Sequence, residues 1–247
     1  MAHKALATVR MGFAYIFVGA ATGLLGAFAI VLALINPKME LINRVIRSWG
    51  RVALFFGAVK VTVVGAELLD PTGSYMLISN HQSAMDPPIH AGKLPVSVRF
   101  LAKAELFKFP IFGRAMRAVG MVETDRRAGV AGHRAINRQV DRVIELEKSL
   151  MVYPEGTRTK DGDLRDFKKG AFRIAVDNDL PIVPITLHGA FEAWPPGSRV
   201  CWGGPVTMVV HDPIPTHGLS TADIDDLRDR TREIMAATLL RLQQEAE

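Results

Sequence analysis

Cysteine is almost absent from this chain, since Cys201 is the single cysteine among 247 residues. One thiol excludes an intrachain disulfide and a metal centre built from several cysteines, and it fits a reducing compartment. The sequence also lacks internal repeats, low-complexity tracts and any recognised nucleic-acid-binding motif. Its length is sufficient for one substantial hydrophobic core, so we expect one globular domain with an appendage.

Charge is missing from the whole stretch between Met11 and Pro37, which is almost wholly apolar. At about 1.5 Å per residue, a helix of this length can cross a hydrocarbon core of about 30 Å. A signal peptide is the alternative, but the apolar run exceeds the usual ~7–15 residues and Asn36-Pro37-Lys38 makes a poor cleavage site. We expect a retained membrane anchor, which either spans the bilayer or dips into one leaflet.

Basic residues flank this anchor on both sides, and the heavier group follows it. The bias predicts that the rest of the chain lies on the cytoplasmic face of the membrane. Met39–Phe56 combines apolar residues with arginines, which predicts a second, amphipathic helix at the membrane interface. We therefore predict an anchoring region over residues 1–56 and an α/β domain over residues 57–247. The flanking residues are Lys4 and Arg10 before the anchor, and Lys38, Arg44, Arg47 and Arg51 after it.

The positive charge is modest overall, at +5, but it is concentrated in one segment. Between Lys93 and Arg117, basic residues far outnumber the single acid, Glu105, and are interleaved with phenylalanines. Cations beside exposed aromatic rings suit an anionic lipid surface. Nucleic acid is the rival partner for any basic patch, and the apolar N-terminus argues against it.

Short apolar runs alternate with helical periodicity beyond residue 57, which predicts an α/β fold with a mixed central sheet flanked by helices. The predicted strands are Val59–Val64, Tyr75–Ser79, Val96–Ala102, Leu150–Tyr153, Pro181–Leu187 and Val206–His211. The predicted helices are Val130–Lys148, Phe167–Asp177 and Thr221–Glu247.

The segment Asn80-His81-Gln82-Ser83-Ala84-Met85-Asp86 follows a predicted strand. On a regular helix, positions five apart lie about 140° apart, so His81 and Asp86 can meet only on a turn. Asp86-Pro87-Pro88 offers one, with aspartate at the N-cap and proline at the first helical position. A histidine oriented by an aspartate can accept a hydroxyl proton near neutral pH. The plain alternative is that Asp86 only caps a helix.

A second polar segment, Glu155-Gly156-Thr157-Arg158, follows the predicted strand that ends at Tyr153. Gly156 allows the backbone to approach a ligand, and Arg158 offers a planar fork that matches phosphate oxygens. Glu155 is better suited to fixing an arginine or the backbone than to touching an anion. A solvated charged turn is the alternative for this short motif.

These segments resemble conserved blocks of the glycerolipid acyltransferase family, specifically the 1-acylglycerol-3-phosphate acyltransferases. Glu123-Thr124 departs from the Phe-Ile usual in the family, and Thr159 stands where serine is commoner. The blocks are Asn80-His81-Gln82-Ser83-Ala84-Met85-Asp86; Lys103-Ala104-Glu105-Leu106 with Pro110, Gly113, Gly120 and Asp125-Arg126; Tyr153-Pro154-Glu155-Gly156-Thr157-Arg158; and Ile182-Val183-Pro184-Ile185.

The resemblance implies transfer of a fatty acyl chain from acyl-carrier protein or acyl-coenzyme A to the sn-2 hydroxyl of 1-acylglycerol-3-phosphate (lysophosphatidic acid). The product would be phosphatidic acid. It implies His81 as general base, Asp86 as the residue that orients it, and direct attack on the thioester without a cofactor. The residues implied in acceptor binding are Lys103, Arg126, Glu155, Gly156, Thr157 and Arg158.

Three other functions remain open at this level. The acceptor could be glycerol-3-phosphate or a lyso-aminolipid, or the chain could bind lipid without turnover. A metal hydrolase would need more ligands than Asp86 and His90 supply. Ser83 beside His81 could suggest a nucleophile, but the GxSxG elbow is absent and a structural role at the corner is the better interpretation.

Overall fold

The structure, a computed structural model, describes residues 2–124 and 129–246 of the chain. Within this part the strands are β1 (Val59–Val64), β2 (Met76–Ser79), β3 (Val98–Lys103), β4 (Val122–Thr124), β5 (Ser149–Val152), β6 (Ile182–His188) and β7 (Gly204–Val210). The helices are α1 (Ala2–Ile35), α2 (Glu40–Gly57), α3 (Asp86–Lys93), α4 (Pro110–Ala118), α5 (Gly129–Glu145), α6 (Gly170–Asp177), α7 (Ala190–Ala193) and α8 (Ile224–Ala246).

The strands form one seven-stranded sheet in the order β1-β7-β6-β2-β5-β3-β4. Neighbours are parallel except β6 and β7, which are antiparallel. Strands β1 and β7 therefore run against the other five, and the predicted mixed α/β sheet is confirmed. The carboxyl ends of β6, β2, β5, β3 and β4 meet at one edge, where open α/β sheets place their ligand sites.

Both faces of the central strands are buried, because successive side chains alternate between two apolar clusters. Leu77 and Met151 point to one face, whereas Met76 and Leu150 point to the other. The first face packs against α2, α3 and α7, and the second against α5, α6 and α8. Burial on both faces explains why these strands are short continuous apolar runs rather than alternating ones.

Helix α1 packs one face along the domain and leaves the opposite face bare. By length and composition, its segment from Ala7 to Ile35 is long and apolar enough to cross a membrane. The polar side chains of Arg10 and Tyr15 bind the carbonyls of Cys201 and Arg199 at 2.6 and 2.8 Å. The buried residues are Ala7, Met11, Ala14, Ala29 and Leu32; the exposed apolar ones include Phe13, Ile16, Phe17, Leu24, Phe28, Val31 and Leu34.

Helix α2 joins α1 to the domain, and it is amphipathic as the sequence predicts. Gly50 lies where α2 crosses α3: a Cβ at this position would come within 2.7 Å of Gly92 N and Pro88 O. Only glycine permits this contact, so the two helices approach backbone to backbone. The crossing brings the N-terminal hairpin against the helix that begins at Asp86.

Three elements escape sequence prediction, one of them the four-residue helix α7. Strand β4 is only three residues long, and α4 lies inside the basic segment, which we interpreted by its charge alone. Helix α4 packs against α1. Of the four phenylalanines in the basic segment only Phe109 is exposed; Phe112 is half-buried, and Phe100 and Phe107 are buried in the domain. The predicted row of exposed aromatic rings is therefore wrong, and the binding of this segment to a lipid surface stays a prediction.

Candidate active site

Sequence-distant polar residues meet at the carboxyl edge of the sheet. His81 follows β2, Lys103 ends β3 and Glu155 follows β5. Since β3, β5 and β2 are consecutive neighbours, the sheet order itself brings these residues to one place. Arg126, predicted to bind the acceptor, comes shortly after β4 but lies outside the described residues.

His81 and Asp86 meet on a turn, as their spacing requires. His81 Nδ1 lies 2.7 Å from Asp86 Oδ2, and the same oxygen accepts the N–H groups of Gln82 and Ser83 at 2.7 and 2.8 Å. Asp86 is fully buried, whereas the His81 side chain is 20% exposed. Since Oδ2 acts as an acceptor in all three contacts, Nδ1 of His81 is the donor and carries the ring proton. The other ring nitrogen, Nε2, then has a free lone pair and can accept a proton.

The predicted cap at Asp86 is wrong by one position. Met85 is the N-cap, and α3 begins at Asp86 itself with proline following it. The carboxylate does not cap the helix but turns back to the corner and binds His81, Gln82 and Ser83. These contacts contradict the plain alternative, in which Asp86 only caps a helix, and they are the contacts that the implied orienting role needs.

Two side chains brace the corner. Asn80 forms a pair of hydrogen bonds with the backbone of Leu187 in β6, at 2.9 and 2.8 Å. Ser83 Oγ donates to the Trp194 carbonyl at 3.0 Å and accepts the Met85 N–H at 3.1 Å. Ser83 is thus engaged in holding the turn, in agreement with its predicted structural role.

Glu155 ties the loop after β5 to the corner after β2. Its Oε1 accepts the His81 N–H at 2.7 Å, and Oε2 accepts the Arg165 N–H at 3.2 Å. The Thr159 N–H donates to the His81 carbonyl at 2.9 Å and closes the contact between the two loops. Burial raises the pKa of Glu155 to about 7. Glu155 fixes backbone here and does not reach toward an anion.

Thr157, Arg158 and Lys103 are exposed and line the same cavity as His81. Within the described residues, neither Arg158 nor Lys103 forms an ion pair with an acid. Unpaired cations in the same cavity as a histidine can hold an anionic ligand, because their charge is not already neutralised by the protein.

Lys168 is a further cation that sequence reasoning missed. Its backbone N–H donates to Pro154 O at 3.0 Å, and a Cβ at Gly156 would lie 2.8 Å from its Nζ. Gly156, with φ of 77°, therefore leaves the space in which Lys168 lies over the loop. The neighbouring Lys169 instead pairs with Asp225 on α8 at 2.8 Å. No local pattern separates the two lysines, so only the fold distinguishes them.

Tyr153, to which sequence reasoning gave no role, lies against His81, and His90 contacts Tyr153 in turn. The Tyr153 ring stacks on the imidazole, and its hydroxyl lies 3.0 Å from Nδ1 of His90. His90, which we considered as a metal partner of Asp86, has its Nδ1 2.7 Å from the Asp86 carbonyl oxygen instead. Burial lowers the pKa of His90 to about 3, so its ring is neutral.

The cavity that contains these groups has a volume of about 1320 Å³. Drug-sized ligands commonly occupy about 300–1,000 Å³, so this cavity has room for a larger molecule such as a lipid. His81, Arg158 and Lys168 lie on its polar part. Its apolar wall is formed largely by α1 and α2, including Val18, Leu25, Ile46 and Trp49.

Comparison with known proteins gives consistent matches. The model of the family described as Acyltransferase matches residues 60–188. The chain is 32% identical to 1-acyl-sn-glycerol-3-phosphate acyltransferase LPAT1, chloroplastic, of Arabidopsis thaliana, over 89% of this chain and 64% of that protein. It is 32% identical to 1-acyl-sn-glycerol-3-phosphate acyltransferase alpha of Homo sapiens, over 72% of this chain and 62% of that protein. The chain thus spans slightly less than two thirds of the length of these two relatives.

A match among solved structures concerns the fold. The crystal structure of the 1-acyl-sn-glycerophosphate (LPA) acyltransferase PlsC from Thermotoga maritima is similar with a TM-score of 0.82, at 24% identity. The match covers 98% of both chains, so it includes the N-terminal helices as well as the sheet.

Proposed function

Because the chain belongs to the acyltransferase family, we propose that it transfers a fatty acyl chain from an acyl thioester to the sn-2 hydroxyl of 1-acylglycerol-3-phosphate. The products are phosphatidic acid and the free thiol of the donor. The observation that carries this proposal is the His81–Asp86 pair, which opens into the same cavity as the cations Arg158 and Lys168. A base beside an anion site suits an alcohol that carries a phosphate.

His81 acts as the general base. Its Nε2 accepts the proton of the acceptor hydroxyl while the oxygen attacks the thioester carbonyl, so that no nucleophilic side chain is needed. The tetrahedral intermediate then breaks the carbon–sulfur bond, and the thiolate takes the proton back from the imidazolium. Asp86 holds the ring orientation through Nδ1 and stabilises its charged form, as a buried aspartate does in other histidine-based sites.

The acceptor phosphate binds among Arg158, Lys168 and Lys103. These cations lie on the polar part of the cavity, and Arg158 can bind two phosphate oxygens at once. Arg126 belongs to this group by the resemblance of its sequence block. Thr157 and the backbone at Gly156 complete the predicted binding loop.

The lipid part of the acceptor lies along the apolar wall made by α1 and α2. The bare face of α1 inserts into a membrane, so that the lipid acceptor reaches the site from the bilayer. We place the active site on the cytoplasmic face, on the strength of the basic residues that follow α1. The donor is acyl-carrier protein or acyl-coenzyme A, and both present the same thioester to His81.

The test is an acyl-transfer assay with the purified protein in phospholipid vesicles, with product masses measured by mass spectrometry. Acceptors are 1-oleoylglycerol-3-phosphate, glycerol-3-phosphate and 1-monooleoylglycerol, which has the same chain but no phosphate. We expect phosphatidic acid from the first acceptor and, with the other two, rates at least tenfold lower. Supplying the same acyl chain on coenzyme A and on carrier protein identifies the donor.

In the same assay, His81→Ala should lower the rate at least a thousandfold while the protein keeps its helical circular-dichroism spectrum. Equal rates with 1-monooleoylglycerol and 1-oleoylglycerol-3-phosphate would overturn the proposal that the acceptor carries a phosphate. Near-normal activity of His81→Ala would overturn the mechanism.

A further inference from the structure

The flat face of the His81 imidazole is held, and not only its Nδ1 edge. Tyr153, the first residue after β5, stacks on the imidazole with ring centroids 4.1 Å apart and planes 14° apart. Nδ1 is fixed by Asp86 at 2.7 Å. A single hydrogen bond at Nδ1 still allows the imidazole to rotate about its Cβ–Cγ bond. The Tyr153 ring packed against the face of the imidazole opposes this rotation. The two contacts together define both the direction and the plane of the ring.

Tyr153 is itself anchored at its far end. Its hydroxyl lies 3.0 Å from Nδ1 of His90, and the same nitrogen lies 2.7 Å from the Asp86 carbonyl oxygen. A carbonyl can only accept, so His90 Nδ1 carries the proton and donates toward both oxygens. His90 is fully buried in α3, the helix that begins at Asp86. The residue that orients His81 and the residue that anchors its stacking partner therefore share one short helix.

We propose that Tyr153, anchored by the buried His90, is a positioning residue that fixes the plane of the His81 imidazole and stabilises the imidazolium formed during acyl transfer. The inference rests on the proposed role of His81 as general base. When His81 accepts the hydroxyl proton, it becomes a cation lying on a π face, and such a face attracts positive charge. A ring held before the reaction also avoids reorientation in the transition state.

Packing alone does not account for the Tyr153–His90 pair. Tyr153 lies against the apolar cluster that includes Met85 and Ile89, where a purely apolar side chain would fill the same space. Burying a hydroxyl and an imidazole there costs hydration, and His90 Nε2 has no hydrogen-bond partner among the described residues. The polar pair is retained at a cost to stability, which indicates a role beyond filling the core.

The test compares Tyr153→Leu, which removes the ring, with Tyr153→Phe, which removes only the hydroxyl. Tyr153→Leu should lower kcat about 10- to 100-fold and leave the acceptor KM within about twofold. It should also move the acidic limb of the pH profile of kcat/KM to lower pH by about half a unit or more. Without the π face the imidazolium is less stable, so the free base persists to lower pH. Tyr153→Phe should keep the limb in place and lose about threefold in kcat, because the anchor is loosened.

Tyr75→Leu is the matched control. Tyr75 directly precedes β2, at the opposite edge of the sheet from His81, so the same substitution there should not move the limb. The titratable and charged groups around His81 are Asp86 and His90 from α3, Tyr153 and Glu155 from the loop after β5, and the cavity-lining cations Lys103, Arg158 and Lys168. None of the three cations is changed in these variants. Each variant retains Asp86, His90 and Glu155, so the difference between Tyr153→Leu and Tyr153→Phe reports on the ring alone.

A second measurement does not depend on activity. In protein carrying ring-labelled histidine, the resonance that disappears in His81→Ala is followed against pH by NMR without substrate, and Tyr153→Leu should shift its titration to lower pH. An unshifted titration, or a Tyr153→Leu enzyme with wild-type kcat and pH profile, overturns the proposal. Inactivity of the wild-type protein on 1-oleoylglycerol-3-phosphate overturns the proposed function instead, and the NMR titration still tests the stack.

Discussion

The corner after β2 and the loop after β5 contact each other and line one cavity, but their polar groups are arranged in opposite ways. In the corner, Asp86 is fully buried and its Oδ2 is saturated with hydrogen bonds. In the loop, Arg158 is exposed and has no acid partner among the described residues. A reacting group needs one fixed geometry, whereas an anion site needs charge that the protein has not neutralised.

Removing the charge of Asp86, in the buried corner, should produce the largest change in kcat. In Asp86→Asn, the amide oxygen can take the place of Oδ2, which accepts from His81 and from the N–H groups of Gln82 and Ser83, but the neutral amide no longer stabilises a positively charged imidazole. We expect kcat to fall at least about a thousandfold, as happens when the aspartate of a histidine-based triad is changed to asparagine, with the acceptor KM little changed.

The control for Asp86→Asn is Asp161→Asn, since Asp161 is an exposed carboxylate that pairs with Arg165 beyond the loop after β5. It should cost less than threefold in kcat. A kcat for Asp86→Asn within tenfold of the wild type would show that the corner does not need the charge of Asp86.

Glu155 breaks the contrast, because it belongs to the loop after β5 yet is buried like the corner. Burial raises its pKa from 4.5 to about 7, so the folded protein binds a proton that the unfolded chain releases between these values. The stability contributed by the protonated carboxyl is therefore present at low pH and is lost as pH rises through about 7. Glu155→Gln, which cannot titrate, should lose stability relative to wild type at pH 5, and this deficit should shrink by about 2–3 kcal/mol at pH 8.

Thermal unfolding in detergent at the two pH values measures this change. The Asp163→Asn variant, altered at an exposed loop position, should show the same difference from wild type at both pH values. A Glu155→Gln deficit that is independent of pH would mean that the carboxyl is already ionised at pH 5.

Changing Arg158 tests whether the exposed cation of the loop after β5 holds the acceptor phosphate. Arg158→Gln removes a charge-assisted contact worth about 2 kcal/mol, so the KM for 1-oleoylglycerol-3-phosphate should rise about thirtyfold while kcat stays within about threefold. Arg165→Gln is the matched control, because the Arg165 side chain pairs with Asp161 and its backbone bond to Glu155 is preserved. An unchanged KM for Arg158→Gln would remove Arg158 from the phosphate site.

The fold was predictable where local pattern and final burial agree. Strand β1 has the predicted bounds, and the apolar runs at β2, β5 and β6 lie within a residue of theirs. Strand β4 was missed because three residues carry too little periodicity, and α4 because its basic residues drew the interpretation to charge. The cap at Asp86 was misplaced since an aspartate before two prolines has the composition of a helix start, whereas its carboxylate binds backward.

The site was predictable only in its contiguous motifs. The spacing of His81 and Asp86 requires a turn, and the turn is present. The stacking of Tyr153 on His81, and the contact of Tyr153 with His90, depend on β5 lying beside β2. No local sequence pattern indicates this strand order. The distinction between Lys168 and Lys169 likewise arises only from which side chain faces the cavity.

These two lysines give the finest test of the open loop, because they are adjacent and chemically identical. Lys168 lines the cavity beside Gly156, whereas Lys169 is paired with Asp225. Lys168→Met should raise the KM for 1-oleoylglycerol-3-phosphate about fivefold to tenfold, as expected for one exposed cation near a phosphate, and reduce the sensitivity of KM to added salt. Lys169→Met removes the same charge from the same net total and should leave KM unchanged. If both variants raise KM equally, the effect is one of overall charge and the cavity position of Lys168 has no specific role. If neither does, the phosphate is held without Lys168, and Arg158 with Lys103 and Arg126 must suffice.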